Sequence, residues 1–261
     1  MLKHLGPADL SFLTDLFNNV VNQAIIPPPW KVGRIIPILK PNMPKDEGTS
    51  FCPISLLSPP AKILETIVLE PLNQSITLAP HQHGFRNSRS TITALQEVVD
   101  HVTTGLNCGK HADRTVLVAV DLSKAFDTVN HELLLNDIAE LPLNSNLKRF
   151  LFSYLRGRST YIEFRGKKSR RKKMKQGVPQ GGVLSPLLFN LYMSKMPTAP
   201  KSSATLLNEA KTQLPISIAG MAVPTVQDPK ILGVTLDPLL TFKNHAMNTK
   251  AKVSGTASSR H

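Results

Sequence analysis

The sequence predicts a mixed α+β fold, and three observations indicate it. Apolar side chains recur at a helical spacing over 8–24. Residues 116–120 form an unbroken, valine-rich apolar run between turn residues, as in a strand that is covered on both faces. Residues 159–176 contain two extended arms around a glycine turn, which is typical of a β-hairpin. A chain of 261 residues is long enough to bury a core.

Helical spacing and capping residues predict further helices. They span 60–75, 91–105, a segment from about 130, 144–155 and 185–195. In the first of these, Ile63, Leu64 and Ile67 are expected to face inward. Ser90 is the expected N-cap of the second. Ser185 is the expected N-cap of the last, with Pro186 at its first helical position.

Strands are predicted over 32–40, where Pro37 favours an edge strand or a bulge. A short extended segment follows the polar loop after it. Weaker strand patterns occur over 215–219 and 230–236. No internal repeat is present.

The charge balance indicates a polyanionic partner. Lys and Arg number 31 against 18 Asp and Glu, a net charge of +13, and ten of the cations lie between Arg156 and Lys175 with Glu163 as the one acid among them. Such a run can be a solvated face or a nuclear-import signal. We favour contact with the phosphates of a nucleic acid, because cationic side chains release counterions there.

The same composition excludes several classes of protein. No apolar run is long enough for a membrane helix, and Asp9 and Asp15 interrupt the N-terminal stretch where a signal peptide would be apolar. Two cysteines cannot supply a disulfide framework or a four-ligand zinc site. An intracellular protein is therefore expected. Its place in nucleus or cytoplasm and its oligomeric state stay open.

Two segments could carry chemistry. Asp121 directly follows the apolar run, where its carboxylate could cap a turn or bind a hard cation such as Mg²⁺. Phe126 would lie over the mouth of the same site, although its pattern favours ordinary core packing. The segment GVPQGGVLSP allows either a close backbone approach to a ligand or a tight turn.

Together, ordered segments of the chain resemble a known family. VAVDLSKAFDTVNHELL and QGVPQGGVLSPLLFNLYM, preceded by WKVGRIIPILKP, FCPISLLSPPAKILE and HQHGFRNSRSTITAL, are similar to the reverse transcriptase of a non-LTR retrotransposon, a LINE of the jockey-like kind. The resemblance implies an RNA-directed DNA polymerase with a right-hand fold. It implies a fingers-like region over 1–112, a palm-like region over 113–200, and a residual palm end with a polar tail over 201–261.

The resemblance also implies roles for individual residues. Asp121 matches the first catalytic and metal-binding aspartate, Leu122 the residue whose carbonyl helps to hold Mg²⁺, and Lys201 a lysine that can protonate pyrophosphate. The expected nucleotide-binding residues are Arg34, Lys40, Phe126 (the gate against a ribose 2′-OH), Gln180 and Gly181. The expected template–primer residues are Gln176, Gly177, Pro179, Arg165, Lys168, Arg171 and Lys173. The implied partner is an RNA or DNA template–primer.

The sequence departs from the family pattern at its second catalytic motif. The family carries Tyr-x-Asp-Asp after the glycine-loop helix, whereas this chain has no Asp-Asp and no acidic residue between Glu163 and Glu209. Asp127 lies six residues after Asp121, which is too close in the sequence for it to replace the missing Tyr-x-Asp-Asp carboxylates. Cys52 also stands where the family has an arginine that grips the triphosphate. We expect a deleted second catalytic hairpin, an incomplete palm without a thumb, and a truncated fragment.

Four functional hypotheses follow. The first is an inactive reverse transcriptase fragment. The second is a working polymerase that takes acidic ligands from Asp228, Asp237 or a partner chain. The third is a nucleic-acid-binding module that uses the basic 156–175 segment, and the fourth is that no stable protein forms because the deletion uncovers strand edges.

Overall fold

The computed structural model describes residues 5–41, 43–107, 117, 122, 124–196, 217–218, 221–222, 230–232, 234–235, 246–247 and 249. The chain divides into two compact units. One comprises Met1–Asn87 with Leu122–Pro197, and the other comprises Ser88–Asp121 with Thr198–His261.

The predicted helices are confirmed with small shifts at their ends. They are α1 (Pro7–Gln23), α2 (Pro59–Ser75), α3 (Thr91–Leu106), α4 (His131–Glu140), α5 (Ser145–Leu155) and α6 (Ser185–Met193). All except α3 lie in the first unit. Asn130 and Asn144 cap α4 and α5, since each side-chain oxygen accepts backbone N–H bonds from the first turn.

The core of the first unit lies between α2, α4, α5 and α6. On α2 the buried stripe runs through Leu64, Val68 and Leu72, at the i, i+4 spacing that places side chains on one helix face. The inward orientation predicted for Ile67 is wrong, because Ile67 is one residue out of this stripe and 52% exposed. Leu64 is buried as expected, and Ile63 is partly buried against the core.

The sheet of the first unit consists of β1 (Val32–Leu39), β2 (Phe51–Leu56), β3 (Ser159–Phe164), β4 (Lys167–Lys168) and β5 (Lys172–Lys173). Its order is β2-β1-β3-β4, and β5 also pairs with β3. The pairing is antiparallel except between β1 and β3, which are parallel.

The edge position predicted for the strand with Pro37 is only half correct. Residues 32–35 of β1 pair with β3 on one side, while β2 covers the other side along the whole strand. Pro37 lies beyond the residues paired with β3 and faces Pro53 of β2. Two prolines can face each other in an antiparallel pair that exchanges no hydrogen bonds, because such a pair needs no N–H group.

The predicted hairpin is confirmed around its Arg165-Gly166 turn, where both residues have positive φ. Its second arm is split, because Glu163 faces Lys168 while Thr160 faces Lys172. The second arm therefore carries one extra residue, which is a β-bulge.

The second unit is described in parts. Ser90 caps α3 as predicted, with its Oγ accepting the Thr93 N–H at 3.3 Å. The strand β6 (Ser217–Ile218) falls within the weaker prediction over 215–219, and its partner β7 (Met221–Ala222) lies beyond that range. The paired strands β8 (Lys230–Ile231) and β9 (Val234–Thr235) both fall within the prediction over 230–236. The strand predicted over 116–120 lies outside the described residues apart from Leu117, which is exposed. Among the described helices, none is long and apolar enough to cross a membrane.

Candidate nucleic-acid interface

The cationic residues of the first unit's sheet sort onto its two faces by strand register. Arg34 of β1 is opposite Tyr161 of β3. Two residues further along β3, Glu163 is opposite Lys168 of β4. Because side chains alternate along a strand and opposite residues share a face, Arg34, Tyr161 and Lys168 lie on one side of the sheet.

The last strand adds two cations to this side. Lys173 of β5 is opposite Ser159, which is two residues before Tyr161. Arg171 precedes Lys173 by two residues and lines the same cavity as Arg34 and Tyr161. We call Arg34, Lys168, Arg171 and Lys173, with Tyr161 among them, the cationic face.

A cavity of about 520 Å³ opens on the cationic face. Pro28, Pro29 and Leu56 form apolar parts of its wall, and Arg34 and Arg171 provide the charge. Arg34 Nη1 lies 3.5 Å from Glu163 Oε2, so this carboxylate holds the guanidinium against the sheet while other N–H donors stay available. Cavities of this size with an apolar wall and a few polar groups are suited to small planar ligands.

The opposite side of the sheet presents two lysines of similar exposure. Lys167 is opposite Phe164 and Lys172 is opposite Thr160, so both are on the other face from Lys168 and Lys173. This second face is also crowded near β1, where a Cβ on Gly33 would lie 3.2 Å from the Thr160 methyl group.

Two other nominated cations lie apart from the cationic face. Arg165 occupies the hairpin turn, with its guanidinium 5.2 Å from the centre of the Phe164 ring. Lys40 follows β1, and its Nζ donates to the Thr49 carbonyl at 2.9 Å. Lys40 is six residues from Arg34, about 20 Å along an extended strand, so the two do not form one site.

The glycine loop, residues 176–184, is held from several sides. At its start, Gly177 N–H donates to the Val129 carbonyl at 2.8 Å and the Gly177 carbonyl lies 2.7 Å from His131 Nε2. Gly177 has φ +86°, and a Cβ there would lie 2.9 Å from the backbone of Asp127. Gly177 and Pro179 are buried, so they shape the loop from within.

The middle of the glycine loop lies along the free edge of β2. Ser55 N–H donates to the Gln180 carbonyl at 2.8 Å. A Cβ on Gly181 would lie 2.6 Å from the Ser55 carbonyl oxygen, so this approach requires glycine. Gln176, Gln180 and Gly181 are exposed and accessible to a ligand.

Phe126 belongs to an aromatic cluster. Its ring stacks on Phe189 of α6 with centroids 4.9 Å apart, and its other neighbour is the edge of Phe85 at 5.7 Å. This packing agrees with the core interpretation of the sequence pattern. The role as a 2′-OH gate stays a prediction.

Sequence reasoning missed a buried polar cluster beneath the glycine loop, formed by Glu65, Tyr154 and Arg158. Each is 2% exposed. Burial raises the pKa of the Glu65 carboxyl, against the opposing effects of backbone N–H groups and the Arg158 charge. Burial beside Glu65 also raises the pKa of Tyr154. Arg158 is one of the ten cations of the basic segment, but its burial keeps it from contacting phosphate.

The expected metal site cannot be built from the described residues. Asp121 and Lys201 lie outside them, and Leu122 is exposed. Within the part of the chain that the structure describes, no group of three or more His, Cys, Asp or Glu side chains could hold a metal ion.

Comparison with known proteins identifies the family. The family model for reverse transcriptase (RNA-dependent DNA polymerase) matches residues 39–217. The chain is 34% identical over 203 residues to the probable RNA-directed DNA polymerase from transposon X-element of Drosophila melanogaster. The aligned segment covers 75% of this chain and 22% of that protein. It is 32% identical to the corresponding protein from transposon BS of the same species, with the same coverage. It is 30% identical over 220 residues to the RNA-directed DNA polymerase from mobile element jockey of Drosophila funebris, over 83% of this chain and 23% of that protein.

The chain thus spans about a fifth of the length of these curated relatives. The matched segment covers well over half of the chain and includes β2, α2, the hairpin, the glycine loop and α6. The chain belongs to the reverse transcriptase family, and its relatives are the polymerases of non-LTR retrotransposons.

Proposed function

We propose that this reverse transcriptase domain binds a single nucleic-acid strand on its cationic face and does not polymerise DNA. The observation that carries the proposal is the convergence around Tyr161 of cationic side chains from three strands, joined by Arg171 next to β5. The relatives are described as RNA-directed DNA polymerases, whose template and primer are nucleic acid.

The chemistry of the cationic face suits a single strand. Arg34, Lys168, Arg171 and Lys173 can contact successive phosphates, and arginine can contact two phosphate oxygens at once. Tyr161 and Leu56 supply the planar and apolar surface on which unpaired bases stack. Contacts of this kind are sequence-tolerant, because each base has a π-face and each nucleotide a phosphate.

The proposed lack of polymerisation is supported by the sequence after α6. Transfer of a nucleotide by the two-metal mechanism needs carboxylates from two segments of the chain. The sequence supplies Asp121 but has neither an Asp-Asp pair nor an acidic residue from Phe164 to Asn208. Exposed Cys52 in β2 also offers no charged donor to a triphosphate.

Strand binding is tested by the dependence of affinity on salt. Each phosphate contact on a single strand contributes about −0.7 to the slope of log K against log salt, so four contacts predict a slope of about −3. The double variant Lys168→Ala/Lys173→Ala leaves two contacts and should reduce this slope to about −1.4. The matched control, Lys167→Ala/Lys172→Ala, removes the same charge from the opposite face and should keep the wild-type slope.

Equal slopes for the two double variants would overturn the proposal, because binding would then follow net charge rather than one face. A wild-type slope near zero would overturn it as well.

Polymerisation is tested by primer extension on an RNA template with Mg²⁺ and with Mn²⁺, beside an active reverse transcriptase. We expect no extension. Template-dependent extension that Asp121→Ala abolishes would contradict the proposal and favour ligands from Asp228, Asp237 or a partner chain.

A further inference from the structure

The carboxylate of Glu65, a residue of α2, lies at the N-terminus of α6. Glu65 Oε2 accepts the Val183 N–H at 2.6 Å and the Leu184 N–H at 3.0 Å. The N-cap residue of α6 is Leu184, whose side chain cannot accept a hydrogen bond, and Ser185 is already inside the helix. The prediction that Ser185 caps α6 is therefore wrong, and its Oγ donates to the Pro179 carbonyl at 2.7 Å instead.

This placement suits the electrostatics of the helix. N–H groups at a helix start lack intrahelical partners and lie at the positive end of the helix dipole. A carboxylate there satisfies the N–H groups and is itself stabilised. Because Glu65 already accepts the N–H groups of Val183 and Leu184, they are not available to bind an external anion.

Arg158 supplies an opposite charge close to Glu65. Arg158 is equally buried, its Nη1 donates to the Tyr154 carbonyl at 3.3 Å, and its guanidinium lies 4.7 Å from the centre of the Tyr154 ring. The Arg158 charge opposes the rise in the pKa of Glu65 that burial causes, while Glu65 Oε1 and Arg158 Nη2 are buried without a hydrogen-bond partner among the described residues.

The glycine loop lies directly on this cluster. A Cβ on Gly182 would lie 2.9 Å from the Tyr154 hydroxyl and 3.2 Å from Glu65 Oε2. One residue earlier, Gly181 lies against the Ser55 carbonyl at the edge of β2. The backbone at the exposed residues Gln180 and Gly181 is thus held by the buried polar cluster on one side and by the edge of β2 on the other.

We propose that Glu65 is a positioning residue for strand binding. Its carboxylate fixes the backbone of Gly182–Leu184, and the adjoining Gln180 and Gly181 hold Ser55 at the edge of β2. Leu56, the next residue of β2, lines the cavity of the cationic face opposite Arg34. This inference rests on the proposed strand binding. Glu65 itself is buried and contacts no strand.

The test compares Glu65→Gln with Glu70→Gln. Glu70 lies on the same helix, is exposed, and its Oε1 accepts from Gln74 Nε2, so the control repeats the chemical change away from the glycine loop. The glutamine oxygen can still accept these N–H groups, but a hydrogen bond to a neutral group is weaker than one to a charged group, so amide exchange at Val183 and Leu184 should accelerate about tenfold in Glu65→Gln. Exchange at these amides should not change in Glu70→Gln.

Strand affinity separates positioning from a structural role. Well below the melting temperature, Glu65→Gln should weaken affinity about tenfold if the competent loop population falls to a tenth, with the salt slope unchanged because no phosphate contact is lost. Wild-type affinity in folded Glu65→Gln would overturn the inference.

Two further outcomes keep the inference decidable. If Glu65→Gln does not fold, amide hydrogen exchange is measured in the wild-type protein instead. Protection of the Val183 and Leu184 amides comparable to that of the buried Leu188 amide supports the inference. Exchange of these two amides at the rate of an unprotected amide overturns it. If the wild-type chain binds no strand, the proposed function fails, and the inference about strand binding fails with it. Wild-type binding that Glu65→Gln leaves intact overturns the inference alone.

Discussion

The contact between Gly181 and β2 predicts a large effect of adding one methyl group. Gly181 has φ +112°, and a Cβ there would lie 2.6 Å from the Ser55 carbonyl oxygen. A side chain in such a backbone region costs about 1–3 kcal/mol. Moving the loop away would also lose the hydrogen bond from Ser55 N–H to Gln180, worth about 1 kcal/mol.

Gly181→Ala should therefore lower the free energy of unfolding by about 2–4 kcal/mol in total. For a domain of this size that corresponds to a fall of about 6–12 °C in melting temperature. Two control glycines separate the causes. Gly166 has φ +76° and nothing within 4 Å of its Cβ position, while Gly48 has neither feature.

Thermal unfolding followed by circular dichroism should thus rank Gly48→Ala as near neutral and Gly166→Ala as lower by about 3 °C, with Gly181→Ala the lowest. Equal melting temperatures for Gly181→Ala and Gly166→Ala would show that the close contact with the Ser55 carbonyl oxygen adds nothing to the loss of stability.

Three further predictions concern the first unit. Burial raises the pKa of Glu65 above its ordinary value of 4.5, so above that pH the folded protein retains a proton that the unfolded chain has released, and wild-type stability falls as pH rises through the folded pKa. The melting-temperature advantage of wild type over Glu65→Gln should therefore be largest below pH 4.5 and should narrow as pH rises through the folded-state pKa; a gap that does not change with pH would contradict this. Lys195→Ala should lower the melting temperature, because it removes the Nζ that lies 2.6 Å from Oδ1 of buried Asp137; an unchanged melting curve would show that Asp137 needs no partner. Phe126→Ala should cost about 2 kcal/mol in urea unfolding through lost stacking on Phe189, and a cost near zero would exclude a packing role.

The helices and the first two strands could be predicted because their signals are local. Apolar spacing and the asparagines before α4 and α5 act within one helix turn, so they can be recognised without knowledge of the rest of the chain. The Arg165-Gly166 turn is a signal of the same kind.

The features that the sequence did not reveal depend on contacts between distant segments. Ser185 is a good N-cap by residue type, but Glu65 from another helix accepts the N–H groups at that point. Arg158 belongs to the basic run by sequence, yet the fold places it under the glycine loop with Tyr154. No local pattern marks either residue, because the partner that decides its position is far away in the chain.

The set of residues on the cationic face also depends on distant contacts, because the register of β4 and β5 against β3 decides which lysines lie there. Sequence alone nominated Lys168, Arg171 and Lys173 together with Arg165, without a reason to separate Lys167 and Lys172. The pairing of β4 and β5 with β3 supplies that reason.

Lysine acetylation footprinting shows directly which face of the sheet binds the strand. The wild-type chain is acetylated with and without a saturating single-stranded oligonucleotide, and modification of each lysine is measured by mass spectrometry. Binding on the cationic face predicts that Lys168 and Lys173 become protected while Lys167 and Lys172, on the opposite face, do not. Equal protection of all four lysines, or protection of Lys167 and Lys172 alone, would contradict strand binding on the cationic face.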